Sequence, residues 1–350
     1  MYLDNQKVKT LFTKDLRKSC IFAIALIICF FAFEKSYSQQ VMYSQQRLNP
    51  MLLNPANTGS EGRYRGVLQY RNQQSNDFSP YNRTAASGEM SLDSRNDMKF
   101  GLGAALIIDK SSPLGYRSSN FRINGASHFK LNDNSSFHAG ASMGFYSQDL
   151  NITNTNREVL AENGYLRQDN TDDLKFDQSS ALAFGLGVGY RWSKAVDKRG
   201  WKVNWQLETG IGAQNMGLIE LKESEGSQPI SDALYTGYAT GQIPIDKYFA
   251  LIPSGFVNVT NEDTQYILGI EGRVILNSGD QFNSKAKRVM LDVGMLQREG
   301  DALVLTSNIT WGELSLGMSY EMPTREPVES LETTGAFEMV LLYKFSGFNF

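Results

Sequence analysis

The sequence is poor in the residues that build helical membrane bundles, disulfide scaffolds and metal sites. Of its 350 residues, only two are cysteine and two are histidine. It has one long apolar run, Cys20–Phe33, whereas a bundle of membrane helices needs several runs of about 20 residues. Cys20 and Cys29 both lie in that run, so the rest of the chain can form no disulfide. A helical membrane bundle and a disulfide-bonded domain are therefore excluded.

The apolar run has the features of a secretory signal peptide. It follows Lys14, Arg17 and Lys18 and leads into Ser36-Tyr37-Ser38, a small-x-small cleavage site. We predict cleavage after Ser38. A membrane anchor helix is the alternative, but the run is too short to span a bilayer comfortably. Removal of residues 1–38 takes away six basic and three acidic residues, so the formal net charge changes from −3 to −6. A negative net charge disfavours a nucleic-acid partner.

Large apolar residues alternate with small ones along Leu182–Trp192, LAFGLGVGYRW. The large set ends in Tyr190 and Trp192, and the other set is mostly glycine and ends in Arg191. Strands of membrane barrels direct bulky groups to lipid, small or polar groups to the lumen, and aromatic rings to the headgroup level. The same alternation recurs in Phe100–Ile108, Val203–Ile211, Leu314–Tyr320 and Phe337–Phe345.

These patterns predict an all-β fold, a transmembrane antiparallel β-barrel of about 14 strands with an N-terminal proline-containing leader or plug. The predicted domains are a signal peptide (1–38), a periplasmic leader or plug segment (39–63) and an outer-membrane β-barrel (64–350). The predicted strands are 64–72, 82–93, 97–109, 115–130, 135–150, 178–193, 201–217, 233–244, 246–258, 263–277, 286–298, 301–311, 312–322 and 335–346.

The predicted connections differ in length. Outer-membrane barrels have short periplasmic turns and longer outer loops, so we predict that the longest connection, Asn151–Gln178, lies outside. Further long connections are Lys194–Gly200, Glu220–Asp232, Ser278–Lys285 and Pro323–Thr334. The short ones are Asp109–Gly115, Asn132–Ser135 and Asn261–Asp263.

The segment Gln39–Ser60 has no strand pattern. Asn49-Pro50 and Asn54-Pro55 predict turns, since proline fixes φ and asparagine caps turns through its side chain. Apolar residues lie beside both turns. We predict that it is ordered and partly buried in the lumen or at the periplasmic mouth. A flexible linker is the alternative.

The sequence carries little that predicts chemistry. His128 and His138 lie on neighbouring predicted strands without a cysteine or suitably spaced carboxylate, and Gly185-x-Gly187-x-Gly189 lies within a strand rather than at a strand–helix turn. We therefore predict no catalytic, metal or cofactor-binding residues and a non-enzymatic protein. Calcium at the acidic pairs Asp172-Asp173 and Glu262-Asp263 is left open.

A set of residues in the leader and the first strand follows the order of a known family: Tyr43, Ser44, Gln45, Asn49, Pro50, Asn54, Pro55, Ala56, Gly59, Tyr70, Arg71 and Asn72. This part of the chain resembles the start of the PorP/SprF family, outer-membrane proteins of the type IX secretion system of the Bacteroidetes. The chain departs from the family pattern at Gln46, Asn57 and Gln74, where aromatic residues are usual.

The resemblance implies a barrel in the outer membrane, reached after signal-peptide removal, that docks a secreted protein. That partner would be a large surface adhesin with a C-terminal targeting domain, and the barrel would support its secretion or surface attachment, including in gliding motility. Other type IX secretion components, periplasmic peptidoglycan-associated lipoproteins and outer-membrane lipid are the further implied partners. A porin or apolar-substrate channel is the alternative function, and a soluble secreted β protein is a third.

Overall fold

The computed structural model describes residues 42–75, 81–93, 97–111, 116–151, 175–198, 201–222, 233–261, 264–277, 287–299, 302–324 and 333–345. The predicted signal peptide, 1–38, and the acidic pairs proposed as calcium ligands lie outside these residues.

Fourteen antiparallel strands close into a barrel, which confirms the predicted fold class. Each strand pairs with its sequence neighbours, and the seam is closed by β1 and β14, from Tyr64 opposite Phe345 to Ser75 opposite Thr333. The strands are β1 (Tyr64–Ser75), β2 (Tyr81–Asp93), β3 (Met98–Ser111), β4 (Tyr116–Asn132), β5 (Ser135–Asn151), β6 (Lys175–Lys198), β7 (Trp201–Lys222), β8 (Leu234–Pro244), β9 (Phe249–Val259), β10 (Thr264–Asn277), β11 (Val289–Arg298), β12 (Ala302–Trp311), β13 (Leu314–Pro323) and β14 (Thr333–Phe345).

Short helical turns precede the barrel strands. A single α-helical turn, α1 (Pro50–Leu53), lies between two 3-10 turns, Gln46–Leu48 and Pro55–Asn57. Pro50 and Pro55 each stand at the start of their turn, where the missing N–H costs nothing. Among the described residues, no helix has the length and apolarity to cross a membrane.

The alternation along the strands sets which side chains face outward. On β6, Phe184, Leu186 and Val188 are exposed on the outside, whereas Ala183 and Gly185 are buried against the interior. Burial alternates in the same way on β13 and β14, where Met318 and Leu341 are exposed and Ser319 and Val340 are buried. The outer surface is therefore apolar, as a lipid-facing barrel requires.

Leu186→Arg is expected to destabilise the barrel through its lipid face. Leu186 is 58% exposed on the outside of the barrel, so the substitution would place a charge in lipid at a cost of about 2–4 kcal/mol near the midplane. The expected result is a lower outer-membrane yield and a lower temperature for the heat-dependent shift in electrophoretic mobility. Leu186→Met is the matched control. An unchanged yield and mobility for Leu186→Arg would contradict the assigned facing.

Basic residues accompany aromatic rings at one end of the barrel. We call this end, where β1 begins and β14 ends, the turn end, and the opposite end the loop end. Arg63 lies over Tyr64, Lys247 lies over Tyr248, and the Lys287 ammonium is 5.2 Å from the Trp311 ring centroid. Aromatic rings with neighbouring cations are typical of the headgroup level, so this belt marks one membrane interface.

Two details of the predicted strands and connections were wrong. The predicted loops Asn151–Gln178 and Lys194–Gly200 are in part strand, because β6 begins at Lys175 and ends at Lys198. Connection length also distinguishes the two ends only in part. The longest connection, 152–174, lies at the loop end, but so do the short Asp109–Gly115 and Asn261–Asp263, and the long Ser278–Lys285 lies at the turn end. Hydrogen-bonded pairing of β6 with β7 continues past the neighbouring strands, and alternation alone does not show where such pairing stops.

Candidate functional site

The interior of the barrel is occupied by Met42–Gly62, which we call the leader. Tyr43 packs with Ala85 and Ile107 near the loop end, and Gly62 lies against Lys344 and Phe345 at the turn end. Met51, Asn54 and Ala56 are almost fully buried between these points. The leader therefore runs the length of the lumen.

Wall glycines make room for the leader. A Cβ added at Gly140 would lie 2.6 Å from the Ala56 Cα atom. A Cβ added at Gly317 would lie 2.7 Å from the Leu48 side chain. Comparable contacts with the leader would arise at Gly101, Gly103 and Gly187. The small inward residues thus serve close packing of a chain segment, and not an open pore.

Little empty space remains beside the first turn of the leader. The cavity between Arg47, Leu48 and the wall residues Phe256 and Glu271 measures about 10 Å³. A volume of that size holds about one water molecule. The leader consequently closes this part of the lumen to solutes.

Side chains of the wall bind the main chain of the leader. Glu338 accepts hydrogen bonds from the Ser44 and Gln45 amides, at 2.8 and 3.1 Å. The Gln214 amide group donates to the carbonyls of Leu52 and Leu53, at 2.8 and 2.9 Å. Because buried backbone groups must be paired, these contacts satisfy a segment that forms no ladder of its own.

The same kind of contact holds the end of the leader. His128 Nε2 lies 2.8 Å from the Thr58 carbonyl oxygen, and Glu89 accepts from the Gly59 amide at 2.8 Å. Arg191 donates to the Ser60 carbonyl at 2.7 Å. Gly59 has φ of +69° and approaches the β3 backbone so closely that a side chain would be both strained and crowded.

The two Asn-Pro pairs have different roles. Asn54 caps the turn at Pro55, since its Oδ1 accepts from the Ala56 amide at 2.9 Å. Its Nδ2 also donates to the carbonyls of Val188 and Ile211, both at 3.0 Å. Asn49 makes no capping bond, and its Oδ1 accepts from the Ser87 hydroxyl at 3.3 Å.

A buried charge cluster joins the leader to three strands. Glu321 pairs with Arg71 and with Arg298, whose Nη1 is 3.0 Å from the carboxylate. Arg298 also donates to the Ser44 hydroxyl at 2.7 Å, and Ser44 in turn donates to Glu321. All four residues are buried. We call Ser44, Arg71, Arg298 and Glu321 the charge cluster.

A second ionic contact forms around Arg47 of the leader. Its guanidinium lies 2.8 Å from the Glu271 carboxylate and 3.3 Å from Asp292, which Arg273 also holds at 2.7 Å. Burial acts to lower the pKa of Arg47, but the two carboxylates outweigh it and raise that pKa. Arg47 therefore stays charged, and its charge is compensated by the wall.

Glu61 anchors the leader at the turn end and gives a pH-dependent prediction. Burial would raise the pKa of Glu61, but Lys344 at 3.0 Å, Arg65 and Arg191 outweigh it and hold that pKa well below its usual range. The stabilisation is present above the unfolded-state pKa of about 4.3 and is lost as the pH falls toward the folded-state value. Because the Glu61 side chain is 36% exposed, this stabilisation should be below about 1 kcal/mol.

We expect Glu61→Gln to lower the urea midpoint of unfolding at pH 7, and the difference from wild type to shrink as the pH falls below about 4. Glu313→Gln, at the exposed turn between β12 and β13, is the control. A difference that grows on acidification would contradict the sign.

Most of the residues singled out in the sequence meet in the lumen. Tyr70 and Asn72 do not. They lie on the outer side of β1, and each donates to Asn82 Oδ1 at 2.7 Å. Those in the lumen are Tyr43, Ser44, Gln45, Asn49, Pro50, Asn54, Pro55, Ala56, Gly59 and Arg71.

Sequence reasoning missed the wall partners of the leader. Their signal was present, since each is a polar or charged residue on the inward side of a strand whose other side is apolar. They include Glu89, Arg191, Gln214, Glu271, Arg298, Glu321 and Glu338.

The two histidines form a buried pair in the wall. Their ring centroids are 4.5 Å apart, and His138 Nε2 lies 2.8 Å from the Ser136 hydroxyl. In the part of the chain that the structure describes, no group of three or more His, Cys, Asp or Glu residues could hold a metal ion. The His128 contact with Thr58 makes this pair part of the leader's support.

Solved structures with a similar fold include channels of low sequence identity. A TodX monoaromatic hydrocarbon channel with the deltaS2S3 mutation matches with a TM-score of 0.55 at 10% identity, over 85% of this chain and 94% of that chain. The Pseudomonas putida toluene transporter TodX matches with a TM-score of 0.51 at 12% identity, over 90% and 100%. These likenesses show the barrel fold alone. A search of the curated proteins found no match.

The sequence also matches a family model over almost its whole length. The model is that of the type IX secretion system membrane protein PorP/SprF, and the match covers residues 35–343. With the closed barrel and its apolar outer surface, this places the protein in the outer membrane. The chain belongs to the PorP/SprF family of type IX secretion system membrane proteins.

Proposed function

We propose that this barrel docks a secreted protein carrying a C-terminal targeting domain and supports its secretion or its attachment to the cell surface. The filled lumen is the observation that carries the proposal. In the part of the lumen that the structure describes, the leader leaves little space for a solute, so such a barrel would act through its surfaces. The proposal includes a large surface adhesin as the partner, a role in gliding motility and removal of residues 1–38 as a signal peptide.

The charges of the lumen argue against the alternative of an apolar-substrate channel. The leader is surrounded by buried ionic groups such as Arg71, Glu271 and Glu321, each of which makes hydrogen bonds within the barrel. An apolar solute moving through the lumen would have to break these bonds without replacing them, at a cost of about 1–3 kcal/mol for each group left unpaired. A docking role requires no such movement.

The loop end is the side on which we propose that the secreted partner binds. Its connections include the long ones at 152–174, 223–232 and 325–332. Longer loops lie on the outer side in outer-membrane barrels, and binding residues are disproportionately on loops held by a rigid scaffold. The turn end would then face the periplasm, where other secretion components would meet the barrel.

The test is affinity purification of the tagged protein from its native envelope, with residues 155–170 replaced by a short Gly-Ser linker. We expect the secreted partner to co-purify with the wild type and to be lost from this variant, while heat-dependent mobility stays unchanged. Shortening 279–285 at the turn end is the matched control, and it should retain the partner.

Two results would contradict the proposal. The first is equal loss of the partner from both variants, or retention in both. The second is steady ion conductance of the purified wild-type protein in a planar bilayer, which would favour the porin alternative.

A further inference from the structure

The outward side of β3 is apolar until the strand approaches the loop end. Its outward residues form an uninterrupted apolar series: Met98, Phe100, Leu102, Ala104, Leu106 and Ile108. At about 3.4 Å per residue and a tilt of about 40–45°, this series covers about 24–26 Å along the membrane normal. The apolar band of an outer-membrane barrel is about 25 Å tall. Lys110, the next outward residue, therefore stands at the level of the lipid headgroups.

A second cation stands directly opposite Lys110 on the same outer surface. The register pairs Lys110 of β3 with Arg117 of β4, and both side chains are exposed. Two pairs closer to the middle of the membrane, Leu106 lies opposite Phe121, and both are exposed on the lipid face. Opposite residues have Cβ atoms about 4.5–5.5 Å apart, and like charges in such positions destabilise a sheet. An anion bound between Lys110 and Arg117 would remove this repulsion.

The carboxylates near these two cations do not compensate them. Within the described residues, neither Lys110 nor Arg117 forms a salt bridge. Asp109 faces the lumen, where it pairs with Arg83 at 3.0 Å. Asp149 stands opposite Arg117 on the side away from Lys110. The two cations therefore offer their donors to an anion from outside the chain.

A tyrosine and two amides continue the row of the two cations onto β2 and β1. Asn82 stands opposite Lys110, and its Oδ1 accepts hydrogen bonds from the Tyr70 hydroxyl and from Asn72, both at 2.7 Å. Tyrosine is enriched where the apolar part of a membrane meets the headgroups, so Tyr70 marks the same level as Lys110. Amide side chains both donate and accept, which suits the hydroxyl groups of a sugar.

We propose that Lys110 and Arg117 bind the phosphate of a phosphorylated glycolipid, whose acyl chains lie on the apolar surface at Leu106 and Phe121. The guanidinium can hold phosphate through two parallel hydrogen bonds, and the ammonium adds a point charge. A glycolipid joins in one molecule the three groups that the surface fits, which are acyl chains, phosphate and sugar. This inference goes beyond the proposed function, because it concerns the lipid-facing wall, and its test in detergent requires no secreted partner.

The test is titration of the full-length protein in detergent micelles with diphosphoryl lipid A, followed by native mass spectrometry. Replacing both cations, in Lys110→Gln with Arg117→Gln, should weaken binding at least about tenfold, or about 1.4 kcal/mol. Lys287→Gln removes an exposed cation at the turn end and is the matched control, expected to change binding by less than about twofold. Lys110→Arg keeps the charge and should keep the binding. Heat-dependent mobility should stay at the wild-type value in all of these variants, because the replaced side chains are exposed.

Three further probes separate a glycolipid phosphate from other anions. Lipid A without phosphate should bind wild type and the double variant equally, and inorganic phosphate should not displace diphosphoryl lipid A, because it has no acyl chains. Phosphatidylglycerol, which has a phosphate but no sugar, should bind more weakly than lipid A.

Several results would overturn the proposal. One is an equal loss of lipid A binding in the double variant and in Lys287→Gln, which would indicate unspecific charge attraction. Displacement by inorganic phosphate would indicate a site for a free anion, and equal affinity for phosphatidylglycerol would indicate a phospholipid. Asp149→Asn should leave lipid A binding unchanged or strengthen it. A loss as large as that of Arg117→Gln alone would show that these two residues act only as a structural pair.

Discussion

Deleting Val41–Ala56 is expected to turn the closed barrel into one that conducts ions. The deletion removes the helical turns that fill the lumen but no residue of a strand, and the seam between β1 and β14 stays paired from Tyr64 to Ser75. Wall groups such as Glu338, which now binds the leader's amides, would be hydrated by water that enters the lumen. The barrel should fold, with lower stability, because part of its interior packing is lost.

The measurement is single-channel recording in a planar bilayer. Wild-type protein should stay near the bilayer baseline, and the deletion variant should show resolved openings. The matched control replaces Val41–Ala56 with a Gly-Ser segment of equal length, which keeps the chain but not the packing, and should conduct as well. Rapid protease cleavage within Tyr43–Asn57 of the wild type, together with unchanged conductance and partner binding after the deletion, would show that the leader is only a linker.

Glu321→Gln is expected to be the most destabilising conservative substitution in the charge cluster. It removes the negative charge shared by Arg71 and Arg298 and leaves two buried guanidinium groups without that partner. Breaking a buried ion pair by removal of one partner costs about 3–5 kcal/mol. Ser44 would lose its carboxylate acceptor as well, so the start of the leader should loosen.

Unfolding in urea, followed by tryptophan fluorescence and by heat-dependent mobility, measures this effect. Glu313→Gln is the control, because that carboxylate is exposed and, within the described residues, accepts a single side-chain hydrogen bond, from Tyr343 at 3.1 Å. The double variant Glu321→Gln with Arg298→Gln should recover part of the loss, since one uncompensated cation is removed. Equal midpoints for Glu321→Gln and Glu313→Gln would show that the cluster adds nothing to stability.

The sequence alone predicts the barrel fold and which side chains of each strand point to lipid and which to the interior. Alternation at Leu186 and Gly187 predicts lipid on one side and a crowded interior on the other, because side chains of a strand point to opposite faces in turn. The strand bounds follow the prediction to within a few residues except at β6 and at the end of β7, which extend into segments predicted as loops. Alternation carries no information on where pairing of a two-stranded hairpin ends beyond the membrane.

The contacts within the lumen could not be predicted in the same way. Glu338 binds the Ser44 amide across 294 positions of the chain. Inward facing at Glu338 follows from the pattern of β14, but which leader group stands opposite depends on how the strands are staggered around the closed barrel. Turn residues such as Asn54-Pro55 indicate that the leader bends, and they do not indicate the wall groups that it meets.

The path of the leader has a consequence for the order of assembly. Its first residues lie near the loop end and its last residues lie at the turn end. Between them, wall side chains bind it through hydrogen bonds. If the leader had to thread through an already closed barrel, the charged Arg47 would pass apolar side chains and polar groups that are not yet paired. Closure of the sheet around a leader already in place avoids this passage. We therefore expect the seam of β1 with β14 to close last, with the leader acting as an internal template for the curvature of the nascent sheet.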